Sequence, residues 1–366
     1  MAKNNIVNAG YWFTQTNAHF PISKIDTNLY THLFCGYANL NSQTYELSFS
    51  DSAKPLIRHF SNAVKENNSK VKTLLSIGGD HASAESFAAM AATSSNRASF
   101  IGSFICKARE GNFDGVDVQW LYPSCAEDMS NFEALIIECH NGVVQEAKES
   151  RQPRLILVAT VFYSPYINDV RYPIQVIRGA LDWVNVIAYD IYTPTSSTNE
   201  TGPSSAFYNP ERNSSSGYFG IRTWIQQGLP SKMIVFGLPF HGWAWKLESS
   251  KKHKVFSPAQ GPARGQNISM EGLIEYGNIK KFIADNDANN VPMDRNFVIG
   301  YTNFGSTWIA YEDEDTIKFK ISSVKTNLGL SGYFVWNIAA DDEHHSLAKL
   351  ASREWKKGQG FCCCLK

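Results

Sequence analysis

The middle of the chain contains the segment Phe113-Asp114-Gly115-Val116-Asp117-Val118-Gln119-Trp120-Leu121-Tyr122-Pro123. The β-branched residues that alternate with polar ones over 115–121 predict a strand. Successive side chains of a strand point to opposite faces, so Asp117, Gln119 and Leu121 project the same way. If this strand belongs to a closed parallel sheet, the three side chains point into the mouth of the barrel.

Similar segments recur along the chain, and amphipathic segments of helix length separate them. The predicted strands are 6–13, 30–37, 71–77, 115–121, 155–160, 184–189, 233–238 and 332–336, and the predicted helices are 83–91, 97–110, 129–147, 173–179, 218–227 and 315–327. This alternation is typical of βα units around a parallel sheet. Eight such units predict an α/β fold, a (β/α)8 TIM barrel, with its functional residues at the C-terminal ends of the strands.

The interval before the last strand is too long for a single helix. It contains the turn-rich stretch 258–262 and β-like runs at 296–301 and 307–311, which together predict a small α+β insertion. The predicted domains are a barrel formed by 1–240 and 313–356, an α+β insertion over 241–312, and a Cys-rich tail over 357–366 that we expect to be disordered.

The central segment resembles the DGxDxDWEYP signature of glycoside hydrolase family 18. Gln119 stands where that family has its third aspartate, and Leu121 stands where it has the catalytic glutamate. Three further segments resemble the family's SxGG strand, its MxYD strand and its last strand with a sugar-stacking tryptophan: Leu74-Leu75-Ser76-Ile77-Gly78-Gly79, Val186-Ile187-Ala188-Tyr189-Asp190 and Gly332-Tyr333-Phe334-Val335-Trp336.

Other segments are similar to the plant class V chitinases within that family. They are Gly10-Tyr11-Trp12-Phe13, the stretch 218–230, and the stretch 237–245, where His241 replaces the usual tyrosine. The resemblance runs in order from about Gly10 to Trp355, which is nearly the whole chain.

The resemblance implies a sugar-binding site formed by Tyr11, Phe34, Tyr189, Asp190 and Trp336. Trp336 is expected to form the floor under a pyranose ring, and Tyr189 and Asp190 to hydrogen-bond an N-acetyl group. Tyr11 and Phe34 are expected to be wall residues. For the tryptophan and the Tyr189–Asp190 pair, a role in the core is the alternative interpretation.

The resemblance also implies that hydrolysis is lost. In family 18 the glutamate protonates the leaving oxygen while the substrate's own acetamide attacks the anomeric carbon. Leu121 has no proton to give, and Gln119 cannot supply charge to the developing cation. General-acid catalysis alone contributes ~10²–10⁴-fold, and loss of the electrostatic partner costs a further ~10²–10³-fold. We therefore expect no catalytic residue among the degenerate motif positions Asp114, Asp117, Gln119 and Leu121.

Three functions fit these observations. The first is a catalytically inactive, lectin-like protein that binds N-acetylglucosamine-containing or related glycans. The second is a scaffold, interaction or storage protein with a vestigial cleft. The third is a repurposed enzyme that acts on a non-chitin small molecule through Asp117, Tyr189, Asp190 and His241.

Charge and composition restrict the partners. Lys and Arg number 34, Asp and Glu also number 34, and the formal net charge is zero. Without a long basic run we expect neither nucleic acid nor an anionic membrane as partner. No stretch approaches the ~20 apolar residues of a membrane span. The histidines show no metal-ligand spacing, so we expect no metal and no cofactor, and an oligosaccharide of chitin or N-glycan type as partner.

The two ends of the sequence leave alternatives open. The residues from Met1 to Ile6 have no apolar signal region, which predicts a cytoplasmic protein. Family members are mostly exported, so an extracellular or vacuolar location stays open if a signal precedes this sequence. Near the other end, the run Cys362-Cys363-Cys364 is either a palmitoylation site or a tail without function.

Overall fold

The computed structural model describes residues 6–79 and 82–357. The strands are β1 (Val7–Phe13), β2 (His32–Leu40), β3 (Leu47–Ser48), β4 (Lys72–Gly78), β5 (Gly115–Gln119), β6 (Ile156–Phe162), β7 (Tyr166–Ile167), β8 (Val170–Arg171), β9 (Trp183–Ile187), β10 (Ile234–Pro239), β11 (His241–Leu247), β12 (Ala259–Pro262), β13 (Leu273–Glu275), β14 (Asn289–Asp294), β15 (Ile299–Phe304), β16 (Thr307–Tyr311) and β17 (Gly332–Trp336). The helices are α1 (Ala53–Asn67), α2 (Ala84–Ala91), α3 (Ser94–Glu110), α4 (Ala126–Ser150), α5 (Ile174–Ala180), α6 (Gly217–Gln226), α7 (Tyr276–Asn286), α8 (Glu314–Thr326) and α9 (Ser346–Lys356).

The main sheet closes on itself. Its strand order is β1-β17-β10-β9-β6-β5-β4-β2-β3, and β1 also pairs in parallel with β2. The short strand β3 adds to β2 in antiparallel fashion, so eight strands form the closed ring. With helices between the strands, this architecture confirms the predicted α/β fold, a (β/α)8 TIM barrel.

Each of the eight predicted barrel strands is present, and the differences that bear on the site are at β5 and β9, which both end two residues earlier than predicted. β5 ends at Gln119 and β9 at Ile187, so Leu121 and Tyr189 lie just beyond their strands. Sequence reasoning missed the helices α1, α7 and α9.

A second, antiparallel sheet has the order β12-β11-β16-β15-β14, with β13 paired to β11. Its strands and helix α7 all fall within the predicted insertion, 241–312. The domain boundaries themselves stay a prediction. The predicted disordered tail lies outside the described residues apart from Lys357.

The chain divides into two compact units. The first contains Met1–Val186, Thr223–Val235 and Leu330–Phe334, and the second contains Ile187–Arg222, Phe236–Gly329 and Val335–Lys366. The core of the first unit includes the fully buried strands β1 and β5.

The core of the second unit is aromatic. It centres on Trp245 and Trp308, whose rings lie 5.5 Å apart, with Tyr301 stacked on Trp308. Among residues 6–79 and 82–357, no helix combines the length and the apolar character needed to cross a bilayer.

A buried ion pair joins β16 to α8 within the second unit. Lys320 donates to the carboxylate of Glu312, and both side chains are at most 1% exposed. Lys320 also donates to the carbonyl of Ser205 at 2.6 Å, and the Ser205 hydroxyl donates to Glu312. Burial lowers the pKa of Lys320, while the Glu312 charge opposes that effect. Removing one partner would leave an uncompensated buried charge, which is strongly destabilising.

The next residue, Asp313, begins helix α8. Its carboxylate accepts hydrogen bonds from the backbone N–H groups of Asp315 and Thr316, and Thr316 completes a capping box. Burial, reinforced by the neighbouring Glu312 charge, raises the pKa of Asp313 to about 7. The folded protein therefore keeps this carboxyl protonated to a higher pH than the unfolded chain does.

We expect Asp313→Asn to remove part of the pH dependence of stability. Because the folded pKa lies above the unfolded value of ~3.9, stabilisation by Asp313 is complete below about pH 4 and is lost as the pH rises to about 7. Asn caps a helix about as well as Asp. Melting temperatures should therefore favour the variant by ~1–3 °C more at about pH 8 than at about pH 4. Equal pH slopes for the two proteins would contradict this assignment.

Candidate functional site

A buried carboxylate organises the interior of the barrel. Asp117 is 0% exposed and accepts four hydrogen bonds through its two oxygens. Oδ2 accepts from the hydroxyl of Tyr11 at 2.8 Å, from Ser76 at 2.9 Å and from Gln119 Nε2 at 2.7 Å, while Oδ1 accepts from Thr160 at 2.9 Å. Burial raises the pKa of Asp117, and the hydrogen bonds act against that shift. The four donors come from different strands, so the carboxylate ties β1, β4, β5 and β6 together.

The parallel register explains why these side chains meet. Ser76 on β4 and Val158 on β6 flank Asp117 directly. Thr160 follows Val158 by two residues, so it projects from the same face of β6. Asp117 therefore finds a hydroxyl on each neighbouring strand.

Gln119 occupies the next inward position on β5 and is also fully buried. Its Nε2 donates to Asp117 and, at 2.8 Å, to Ser76, while its carbonyl oxygen accepts from the hydroxyl of Tyr37 at 3.3 Å. Both ends of the amide are thus engaged. The side chain acts as a neutral donor beside a carboxylate.

The network extends across the first unit through Tyr11. Its hydroxyl accepts a hydrogen bond from Asn185 Nδ2 at 2.7 Å, and Asn185 Oδ1 accepts from Trp183 Nε1 at 3.0 Å. Burial and then the charge of Asp117 raise the pKa of Tyr11, so its hydroxyl stays protonated and remains a donor.

The two remaining motif positions lie outside this network. Leu121 follows the end of β5 and is half-buried. Asp114 precedes the other end of β5, where it accepts from the Thr73 N–H at 2.9 Å and pairs with Lys65 and Lys72 at 3.0 Å each. Burial raises the pKa of Asp114, but these hydrogen bonds and charges outweigh it and leave the pKa below its usual value. Asp114 is therefore a structural carboxylate at the opposite end of the strand from Leu121.

The second unit holds a cluster of aromatic and polar side chains. Tyr189 follows β9 and is buried, and its ring lies 6.5 Å from the half-buried ring of Trp336. His241, on β11, meets Tyr189 edge-on at 5.9 Å and Trp243 edge-on at 5.9 Å. Asp190 completes the group. We call these five residues the aromatic cluster.

Asp190 presents its carboxylate in a fixed orientation. One oxygen, Oδ1, is hydrogen-bonded both to His241 Nε2 at 2.9 Å and to Trp243 Nε1 at 2.7 Å. Its backbone has φ of 56°, in the left-handed region that is uncommon for residues other than glycine. The side chain is 34% exposed, so the carboxylate is partly open to solvent.

The structure brings the predicted binding residues Tyr189, Asp190 and Trp336 together in the aromatic cluster. Tyr11 and Phe34 have a different setting, because both are 0% exposed and their rings stack at 4.4 Å. This placement indicates that Tyr11 and Phe34 have a packing role in the core. Their contact with a sugar stays a prediction.

Sequence reasoning missed several participants. Trp243 shares the face of β11 with His241, two residues away, and this spacing could have identified it. Asn185 is a polar residue within an apolar strand, which signals a buried partner. No group of His, Cys, Asp and Glu suited to holding a metal ion occurs within residues 6–79 and 82–357.

Comparisons with known proteins agree with this geometry. Residues 7–341 match the family Glycosyl hydrolases family 18. A class V chitinase of Arabidopsis thaliana is 43% identical over 350 residues, which cover 96% of this chain and 90% of that protein.

Two solved structures have the same architecture. A mutant class V chitinase from Nicotiana tobaccum in complex with NAG4 superposes with a TM-score of 0.91 at 37% identity, over 96% of this chain and 99% of that one. A chitinase-like agglutinin from Robinia pseudoacacia gives a TM-score of 0.86 at 37% identity, over 95% of this chain and 99% of that one. The chain therefore belongs to glycosyl hydrolase family 18 and is homologous to the plant class V chitinases.

Proposed function

We propose that this chain is a lectin-like member of family 18 that binds chitin-type oligosaccharides without hydrolysing them. The observation that carries the proposal is Leu121. Leu121 lies two residues after Gln119, the last residue of β5, on the side of the strand that faces the barrel interior. It places an aliphatic side chain where the family's acid is expected. Ligand binding by the Nicotiana tobaccum chitinase and the name of the Robinia pseudoacacia agglutinin support a glycan as ligand.

Neighbouring carboxyls do not replace the acid. Asp117 is fully buried and already accepts four hydrogen bonds, so it has no path to a substrate oxygen. Glu127 and Asp128 belong to the first turn of α4, where Asp128 accepts from the Ser124 N–H at 3.2 Å. Asp128 is therefore engaged with the backbone at the start of the helix.

Gln119 removes the second contribution to catalysis, which is the charge that an aspartate at this position would supply to the developing cation. A carboxyl beside Asp117 would share a proton with it and respond to charge on the substrate. The amide gives a hydrogen bond of the same geometry but cannot transfer a proton.

The aromatic cluster retains the features of a sugar site. Sugar rings bind through an apolar face and through directed hydrogen bonds at their edges. Trp336 supplies a half-buried ring, and Asp190 supplies an acceptor held by His241 and Trp243. The His241 imidazole, in place of a tyrosine, donates to Asp190 and so keeps the carboxylate in position.

Calorimetric titration with chitotetraose should show binding by the unmodified chain, and an activity assay on the same preparation should show no cleavage. Trp336→Ala should weaken binding at least ~10-fold, because it removes the ring under the sugar. Phe304→Ala is the matched control, since Phe304 is a 50% exposed aromatic outside the aromatic cluster. Absence of binding would instead favour a scaffold with a vestigial cleft, and cleavage would refute the argument from Leu121. A high-mannose glycan in parallel tests the N-glycan alternative.

Restoring the two carboxyls tests the catalytic part separately. We expect Leu121→Glu/Gln119→Asp to hydrolyse chitotetraose at a rate at least ~10²-fold above that of the unmodified chain, because it returns a proton donor. If the unmodified chain and the double variant are equally inactive while both bind the sugar, the loss of activity involves more than these two positions.

Gln119→Glu tests the charge state of the buried network. The new carboxylate would face Asp117 at the 2.7 Å distance now occupied by an amide donor, so the two groups must share a proton. We expect a loss of ~2 kcal/mol in unfolding free energy at pH 7, with recovery towards about pH 4, where the carboxyls of the unfolded chain take up protons as well. Denaturant unfolding at the two pH values measures this, and Gln43→Glu is the exposed control. A pH-independent loss would contradict the assignment.

A further inference from the structure

The second unit contains a cavity of about 310 Å³ between helix α7 and the segment 264–268, which lies in the connection from β12 to β13. Thr307, the first residue of β16, also lines it. This volume is at the lower end of the ~300–1,000 Å³ that small-molecule pockets occupy. The described residues that line the cavity do not include the aromatic cluster. We call this cavity the α7 pocket.

One face of helix α7 forms a wall of the α7 pocket. Its lining residues are Asn278, Lys281, Phe282, Asp285 and Asn286. Their spacing of i, i+3, i+4, i+7 and i+8 places them on the same side of the helix. Phe282 is half-buried and offers an apolar surface, while the two asparagine amides can both donate to and accept from hydroxyl groups.

The opposite wall is held in place by its own hydrogen bonds. Arg264 Nη1 donates to the carbonyl of Met270 at 2.7 Å. The Ser269 hydroxyl accepts from the Leu273 N–H at 3.0 Å and so fixes the turn that follows. The guanidinium of Arg264 is therefore tethered before a ligand arrives, which lowers the entropic cost of binding.

The charges that line the α7 pocket favour an anion. Arg264 and Lys281 are cationic, and Asp285 is the single acid among the described lining residues. In the part of the chain that the structure describes, neither cation forms an ion pair with a carboxylate. A carboxylate carries one negative charge, which matches the excess of one positive charge, whereas a phosphate monoester carries nearly two. Both a guanidinium and an ammonium donate strong hydrogen bonds to a carboxylate.

We propose that the α7 pocket binds a hydroxylated carboxylate of about the size of one sugar-acid unit. Arg264 and Lys281 donate to the carboxylate of this ligand, while Asp285 accepts from its hydroxyls. The ring of Phe282 contacts its apolar face. The ligand is either a free sugar acid or one unit of an acidic polysaccharide. The proposal goes beyond the proposed function and does not depend on binding at the aromatic cluster.

Saturation-transfer NMR with galacturonate tests the α7 pocket on the full-length protein. Galactose, which has a hydroxymethyl group in place of the carboxylate, is the neutral counterpart. We expect galacturonate to bind at least ~10-fold more tightly than galactose, and about 0.5 M salt to weaken its binding. No binding of galacturonate, or equal affinities for the two sugars, would overturn the proposal.

Substitutions locate the bound galacturonate. Arg264→Gln and Lys281→Gln should each weaken its binding at least ~10-fold, whereas Lys251→Gln removes another exposed charge of the second unit and should not. Trp336→Ala should leave this binding unchanged. Loss of binding in Trp336→Ala but not in Lys281→Gln would place galacturonate in the aromatic cluster and contradict the proposal. Unchanged melting temperatures confirm that the variants fold.

Tetragalacturonate in the same experiment distinguishes the two sources of the ligand. Tighter binding of the tetramer than of the monomer would identify an acidic polysaccharide, and equal binding would identify the free acid. Either result supports the proposal if Lys281→Gln weakens the binding, and overturns it if Lys281→Gln has no effect.

Discussion

The carboxylate of Asp117 is the constraint on which the interior of the barrel depends. A buried charge without a cation beside it is costly, and hydrogen bonds to its oxygens are what make it tolerable. Tyr11, Ser76, Gln119 and Thr160 provide them from four strands. Each donor must therefore be kept, or be replaced by a group that donates in the same direction. This requirement fixes the side-chain chemistry of the barrel interior more strictly than packing alone would.

The same constraint explains how the proposed loss of hydrolysis is compatible with an intact fold. An amide at Gln119 meets the demand for a donor to Asp117 and also satisfies Ser76 and Tyr37. Leu121 lies beyond the end of β5 and has no place in the network. The stability of the network therefore does not require an acid at either position. Substitutions at Gln119 and Leu121 can remove proton transfer without disturbing the fold.

The barrel and the aromatic cluster were predictable to different degrees. Alternating strands and helices, together with the motif around Asp117, predicted the fold because such patterns are local. The contact from Trp243 to Asp190 was missed because it spans 53 positions and depends on how β11 is placed. The burial of Phe34 depends likewise on its stacking with Tyr11. Helix α9 was missed as well, although its buried residues recur at helical spacing.

The aromatic cluster and helix α9 are linked by a short and well-anchored segment of the second unit. After Trp336, the carboxylate of Asp341 accepts from the N–H groups of Leu347 and Ala348 in the first turn of α9. Asp342 accepts from Ser346 and pairs with Lys280 of α7 at 2.8 Å. These bonds restrict rotation of α9 relative to the end of β17. The anchoring of α9 therefore also helps to hold the end of β17, and with it Trp336, in position.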